Sequence, residues 1–251
     1  MHLSHGPCEL SPRVRASRAR LLVTPVVLVP GLLCSSEIFA EQIPQLWPSG
    51  PVTVASTLGG ERIEEAAASI LRDAPPRFAL AGISMGGYLS LEIMRQAPSR
   101  VVKLALIDTS ARADTVEQTD ARLQAVAQAR TGFMAVAFLN LTSLLHPLRR
   151  GDADILDIIR RMVRTVGLEG YERQQKIAIS RPDSRPFLDL INVPTLVMVG
   201  DRDPLTPVAH SKEIASAVRG ATLKVVPDCG HLSPIEQPGR VSKALAEWIG
   251  A

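Results

Sequence analysis

Cysteine is scarce. The chain has three, Cys8, Cys34 and Cys229, among 251 residues. An odd number at wide spacing is neither a disulfide framework nor a zinc pattern, so no structural metal is expected. Free thiols suit a reducing compartment, and a cytoplasmic location is expected on that ground. An excess of one sign of charge is also nearly lacking: 28 Lys and Arg stand against 25 Asp and Glu. The small basic excess is concentrated in Arg13, Arg15, Arg18 and Arg20. A nucleic-acid footprint needs basic residues spread over a folded face, so no nucleic-acid partner is expected. No apolar run is long enough to span a bilayer. The stretch Leu21–Cys34 follows basic residues and superficially resembles a signal peptide. Pro25 and Pro30 would break its helical core, and no small-residue cleavage site follows. Residues 1–20 are therefore expected to form a flexible extension, Leu21–Val29 to hold the first buried strand, and no membrane partner is expected.

What is present is an ordinary globular composition, 46% apolar and 21% charged. Short apolar runs recur at Val26–Val29, Val52–Ala55, Phe78–Ile83, Val101–Ile107, Thr195–Val199 and Thr222–Val226. Continuous apolar runs without strict alternation suit strands covered on both faces, as in a parallel sheet. Helical patterns lie between them at Glu61–Asp73, Met85–Gln96, Val208–Val218 and Pro234–Ile249. The alternation predicts an α/β fold: a doubly wound, mostly parallel sheet flanked by helices. From 111 to 189 the rhythm breaks. Helical patterns cover Asp114–Arg130, Gly132–Leu145, Asp152–Val166 and Glu169–Ile179, with no strand among them. A helical cap over 111–189, inserted after the fourth strand, is expected, with 21–110 and 190–251 forming the core.

Gly82-Ile83-Ser84-Met85-Gly86 matches G-x-S-x-G and falls between a strand and a helix. That context suits a nucleophile elbow, a strained turn in which small neighbours let a serine stand above the sheet at a helix N-terminus. A serine hydroxyl needs a base. His231, in the Gly-flanked loop after the last strand, is the candidate; His2, His5, His146 and His210 compete poorly by position. The acid that orients the imidazole is expected in the loop after Thr195–Val199. Asp203 is preferred there over Asp201, which sits near the strand end as a turn former, and over Asp108 after an earlier strand. Oxyanion donors are expected from the backbone N–H groups of Met85 and of Leu32, in the Pro30-Gly31-Leu32 loop. Activity should rise as His231 deprotonates, in the ordinary imidazole range of roughly 6–7.

Together, Val27-Leu28-Val29-Pro30-Gly31-Leu32, Gly82-Ile83-Ser84-Met85-Gly86-Gly87, Gly200-x-x-Asp203-x-x-x-Pro207 and Gly230-His231 resemble the α/β-hydrolase superfamily, of the small lidded esterase and enol-lactonase type. The resemblance implies a cofactor-free acyl-transfer enzyme, a monomer or homodimer, acting on a small ester, lactone or thioester through an acyl-serine. Alternatives stay open: a triad-bearing lyase or synthase, similar to 2-succinyl-6-hydroxy-2,4-cyclohexadiene-1-carboxylate synthase, a perhydrolase, or a ligand-binding protein on the same scaffold. Two features depart from the common pattern. Pro30-Gly31 replaces His-Gly in the oxyanion loop, and residues 1–25 leave little room for the two antiparallel strands that usually come first.

The cap is expected to set the substrate. Tyr88, Phe133 and Phe138 are candidate pocket residues, with Val136, Leu139, Leu141, Leu144 and Leu145 either lining the pocket or forming the cap's own core. Any of Arg112, Arg130, Arg149, Arg150, Arg160, Arg161, Arg164 and Arg181 could clamp a carboxylate or simply be solvated. Cys34 and Cys229 read as small buried residues.

Overall fold

The computed structural model describes residues 23–250. The expected extension over 1–20, with its arginines, His2, His5 and Cys8, lies outside them, as does the start of the Leu21–Val29 run. In chain order the elements are β1 (Val26–Val29), α1 (Ile43–Leu46), β2 (Val52–Val54), α2 (Ile63–Asp73), β3 (Phe78–Ile83), α3 (Met85–Gln96), β4 (Val101–Ile107), α4 (Val116–Ser143), α5 (Ala153–Ile179), β5 (Thr195–Gly200), α6 (Val208–Ala217), β6 (Thr222–Val226), α7 (Ser233–Glu236) and α8 (Pro238–Gly250). The strands form one sheet in the order β2-β1-β3-β4-β5-β6, and every described pair is parallel.

Burial explains the continuous apolar runs. Val26 and Leu28 of β1 join one core cluster, together with Ala79, Ala81 and Ile83 of β3. Val27 and Val29 join the cluster on the opposite face, with Phe78 and Leu80. Alternate side chains thus enter two cores, which a parallel sheet between helical layers requires. The order reverses at β1: β2 lies on one side and β3 on the other, with Val29 opposite Gly82. The loops after β1 and β3 therefore leave the sheet side by side at its C-terminal edge, where open α/β sheets form their crevice.

Between β4 and β5 the chain is helical. The four expected helical stretches join in pairs: α4 runs through a break at Gly132 and α5 through one at Gly167, where the backbone leaves helical geometry. The second break uses φ +67, which glycine adopts without a Cβ clash. Helix α4 starts at Val116, not at Asp114, because Thr115 accepts from the Gln118 backbone N–H while the Gln118 side chain caps Thr115 in return. The expected helix Pro234–Ile249 is also corrected. It is two helices, α7 and α8, because Pro238 has no N–H to continue the first and starts the second. Among the described residues, no helix is long and apolar enough to cross a membrane.

Candidate active site

The turn from β3 to α3 puts Ser84 at φ 54, ψ −118, a left-handed backbone that a serine adopts only when its surroundings hold it there. Glycines permit the close packing this needs. A β-carbon on Gly86 would overlap the Val29 carbonyl, and one on Gly82 the Gly86 carbonyl. The turn is pinned to β4 by Ser84 N–H donating to the Ile107 carbonyl at 2.9 Å, and by the Thr109 hydroxyl donating to the Ser84 carbonyl at 2.8 Å. Ser84 stands at the positive end of α3, which favours negative charge on its oxygen.

His231 follows β6, in the loop before α7, and Asp203 follows β5. His231 Nε2 is 2.8 Å from Ser84 Oγ, and His231 Nδ1 is 2.7 Å from Asp203 Oδ2. The three residues are 8%, 2% and 5% exposed in the order Ser84, His231, Asp203. A carboxylate only accepts, so the network sets Nδ1 as the protonated nitrogen and leaves Nε2 to accept from the serine. Asp203 is held in turn by the Thr206 hydroxyl at 2.7 Å and by the Leu205 and Thr206 backbone N–H groups.

The two other candidate acids sit elsewhere. Asp201 is exposed and accepts from the Cys229 N–H at 3.1 Å, as a turn former does. Asp108 is buried but bonds the Gly200 and Ser233 backbone N–H groups rather than the imidazole. Burial and the Asp203 charge push its carboxyl up to about 8. Burial also disfavours charge on Asp203, yet the imidazole and the hydrogen bonds to it and to Thr206 outweigh this and hold Asp203 below the usual carboxylate range. The carboxylate in contact with the ring is that of Asp203. Burial alone would lower the His231 pKa; Asp203, with Asp108 and Glu236 behind it, reverses this and raises it.

The loop after β1 runs against the serine: a β-carbon on Gly31 would lie 3.2 Å from Ser84 Cβ. Among the described residues, the N–H groups of Leu32 and Met85 have no hydrogen-bond acceptor, whereas those of Leu33 and Cys34 do. Leu32 and Met85 border the same chamber as Ser84 and His231.

Three residues escaped the sequence reading. Gln174, fully buried on α5, accepts the Leu33 N–H at 2.8 Å and donates to Thr57 Oγ1 at 2.9 Å. It thereby ties the cap to the loop that carries Leu32, where Leu33 is held at φ 62. Glu236, fully buried, accepts from Gly230, Leu232 and His146 backbone N–H groups. The cap also accepts the His231 N–H through the Leu144 carbonyl at 3.0 Å. Arg122 borders the chamber and is the third. The first two carry a weak signal, polar residues at apolar helical positions; Arg122 carries none.

The candidate pocket residues divide. Tyr88 borders the chamber. Phe133 and Phe138 do not: Phe133 packs with Tyr171, ring centres 5.9 Å apart, and Phe138 lies under the Arg160 guanidinium. They belong to the cap's own packing, whereas Leu141 and Leu144 reach the chamber. Of the arginines singled out by sequence, Arg130, Arg149, Arg160 and Arg161 make exposed ion pairs on the cap surface. Arg181 is buried against Asp114 and stacks on Tyr88. Cys34 and Cys229 are buried free thiols. Burial pushes the Cys34 thiol up to about 12 and raises Cys229 as well, which leaves both as poor nucleophiles. His146 caps a short turn through Nδ1, and His210 borders a second, more open cleft next to the chamber.

A parallel sheet with a serine turn, an imidazole and a carboxylate in contact at its C-terminal edge defines a hydrolase-type fold and site. Residues 26–244 match the alpha/beta hydrolase family, and the chain belongs to it. It is 28% identical over 171 residues to 3-oxoadipate enol-lactonase 2 of Acinetobacter baylyi, a match covering 68% of this chain and 62% of that protein, less than two thirds of its length. It is 27% identical over 225 residues to a pimeloyl-[acyl-carrier protein] methyl ester esterase of Neisseria meningitidis, covering 83% of this chain and 87% of that one. Among solved structures, a thermophilic esterase from Thermogutta terrifontis superimposes with a TM-score of 0.81 at 28% identity, over 90% of this chain and 89% of that one.

Proposed function

We propose that the protein hydrolyses a carboxylic ester or lactone, or a thioester, of a small to medium substrate through an acyl-Ser84 intermediate. The observation that carries this is the unbroken contact from Ser84 Oγ to His231 Nε2 and from His231 Nδ1 to Asp203 Oδ2. In this reading His231 takes the serine proton as Ser84 Oγ attacks the carbonyl carbon. Asp203 keeps the ring oriented and stabilises the imidazolium. The free N–H groups of Leu32 and Met85 meet the charge that develops on the carbonyl oxygen. When the tetrahedral adduct collapses, the C–O bond to the alcohol breaks and His231 returns the proton to the leaving oxygen. Water, deprotonated by the same imidazole, then releases the acid and restores the serine. The similarity to enol-lactonases and esterases supports ester or lactone chemistry.

The test is covalent labelling with a fluorophosphonate, located by peptide mapping. Stoichiometric labelling at Ser84, abolished in Ser84→Ala and strongly slowed in His231→Ala, is expected, with a burst of p-nitrophenol from p-nitrophenyl esters. Folded protein that takes no label would overturn the proposal and favour a binding role.

A further inference from the structure

Two joined cavities lead to Ser84. The inner chamber, of about 80 Å³, is bordered by Ser84 and His231. The outer cleft, of about 400 Å³, opens beyond it, and the two share Leu32, Tyr88, Arg122, Asn140, Leu144 and Leu205. Among the described residues, no carboxylate borders the inner chamber, and Arg122 is its one permanent charge. Among the described residues, the outer cleft adds Arg112 and Arg181 against a single acid, Asp114.

These arginines are not equally engaged. Arg112 is exposed and held by Glu213 at 2.9 and 3.1 Å. Arg181 uses all three nitrogens, on the Arg112 and Ala178 carbonyls and on Asp114. Arg122 donates Nε to Asp114 Oδ2 at 2.7 Å and Nη1 to Gln175 Oε1 at 2.9 Å. Its Nη2 donates to nothing among the described residues. One carboxylate, 2% exposed, therefore serves two guanidiniums. The cluster carries one uncompensated positive charge, and a guanidinium only 20% exposed gains from a partner. Because Nε and Nη1 are fixed, little freedom remains to be lost when Nη2 takes a ligand.

We infer that the substrate carries a free carboxylate, bound by Arg122 Nη2, in addition to its scissile ester or lactone. A short apolar segment separates the two, lying against Leu32, Leu144 and Leu205. This rests on the acyl-transfer reading of Ser84 and names its substrate class; Arg122 is the residue that selects the anion.

The test compares monomethyl with dimethyl esters of the straight-chain diacids from glutaric to suberic, followed by pH-stat with wild type and Arg122→Gln. Charge-assisted hydrogen bonds predict that wild-type kcat/KM favours the monoester by roughly tenfold or more at one chain length. Arg122→Gln should bring that ratio to within about twofold of unity, and added salt should shrink it in wild type. A wild-type ratio at or below one for every diacid overturns the inference, as does a ratio that Arg122→Gln leaves unchanged. The wild-type ratio and its salt dependence keep the test alive if the variant misfolds. Ser84 that labels while neither ester turns over also counts against the anionic substrate. Absence of both labelling and turnover removes the hydrolase reading instead, so the two failures are distinguishable.

Discussion

Glu236 grips the backbone on both sides of His231: its Oε2 accepts from Gly230 N–H at 3.1 Å and its Oε1 from Leu232 N–H at 2.9 Å. A third donor, His146 N–H, reaches Oε2 at 2.7 Å. The imidazole is thus aimed by a residue that does not touch it. Glu236→Gln puts an NH2 group against an N–H donor whichever way the amide turns. We expect kcat to fall about tenfold, with about 1–3 kcal/mol lost from folding stability. Because the Glu236 charge also favours protonated His231, the kcat–pH inflection should move to lower pH. An inflection that stays put in a folded variant would reduce Glu236 to a purely structural role.

The pH profile of the wild type has a definite sign. Only neutral His231 can accept the serine proton, so activity rises with pH through the His231 pKa. Burial works to lower that pKa, but Asp203 outweighs it, and the net shift is upward from 6.5. The inflection in kcat/KM should therefore lie on the alkaline side of the ordinary imidazole value. A flat profile removes His231 as the base, and an inflection below 6.5 would show that burial outweighs Asp203 at the ring.

Gln174 offers a separation of binding from chemistry. Gln174→Leu leaves the Leu33 N–H without its acceptor and frees the loop that presents Leu32. Loss of one well-aimed oxyanion donor costs up to about 10²–10³ in kcat, and a loosened one should cost roughly tenfold, with KM moved less. Gln174→Glu still accepts from Leu33 and can accept from the Thr57 hydroxyl, so it should recover much of the loss. Steady-state kinetics on one neutral ester checks both variants. Equal damage from the two would show that the Leu33 bond is not the reason for the effect.

Gly86→Ala tests the elbow itself. The added methyl would collide with the Val29 carbonyl, which belongs to a central strand and cannot swing aside. Overpacking of this kind typically costs about 1–3 kcal/mol, and rigid backbone puts the expectation at the upper end. Thermal or urea unfolding should show a clear loss, and a variant as stable as wild type would mean that α3 has more room than its packing suggests.

Local chemistry made the site legible. The elbow declares itself because a strained turn demands glycines at fixed offsets, and Asp203 and His231 because each lies in the loop that follows a readable strand. The sheet was equally plain, since both faces of β1 and β3 are buried. What stayed hidden depends on distant partners. Gln174 meets Leu33 across 141 positions, and Glu236 meets His146 across 90. Nothing local marks such pairs. Phe133 and Phe138 sit on apolar helical stretches whose periodicity says that they are packed but not against what. Nothing in the sequence around Arg122 sets it apart; its role comes from α5, which brings Gln175 beside it.

The cap is more than a roof. Through Gln174 it supports the loop bearing Leu32, and through Leu144 and His146 it supports the strand of chain bearing His231. A graft that swaps this helical segment for that of a cousin enzyme, in the hope of trading one specificity for another, would saw through both braces at once. Chimeras built at this seam should keep those three positions native, or restore their equivalents, before any change in selectivity can be read.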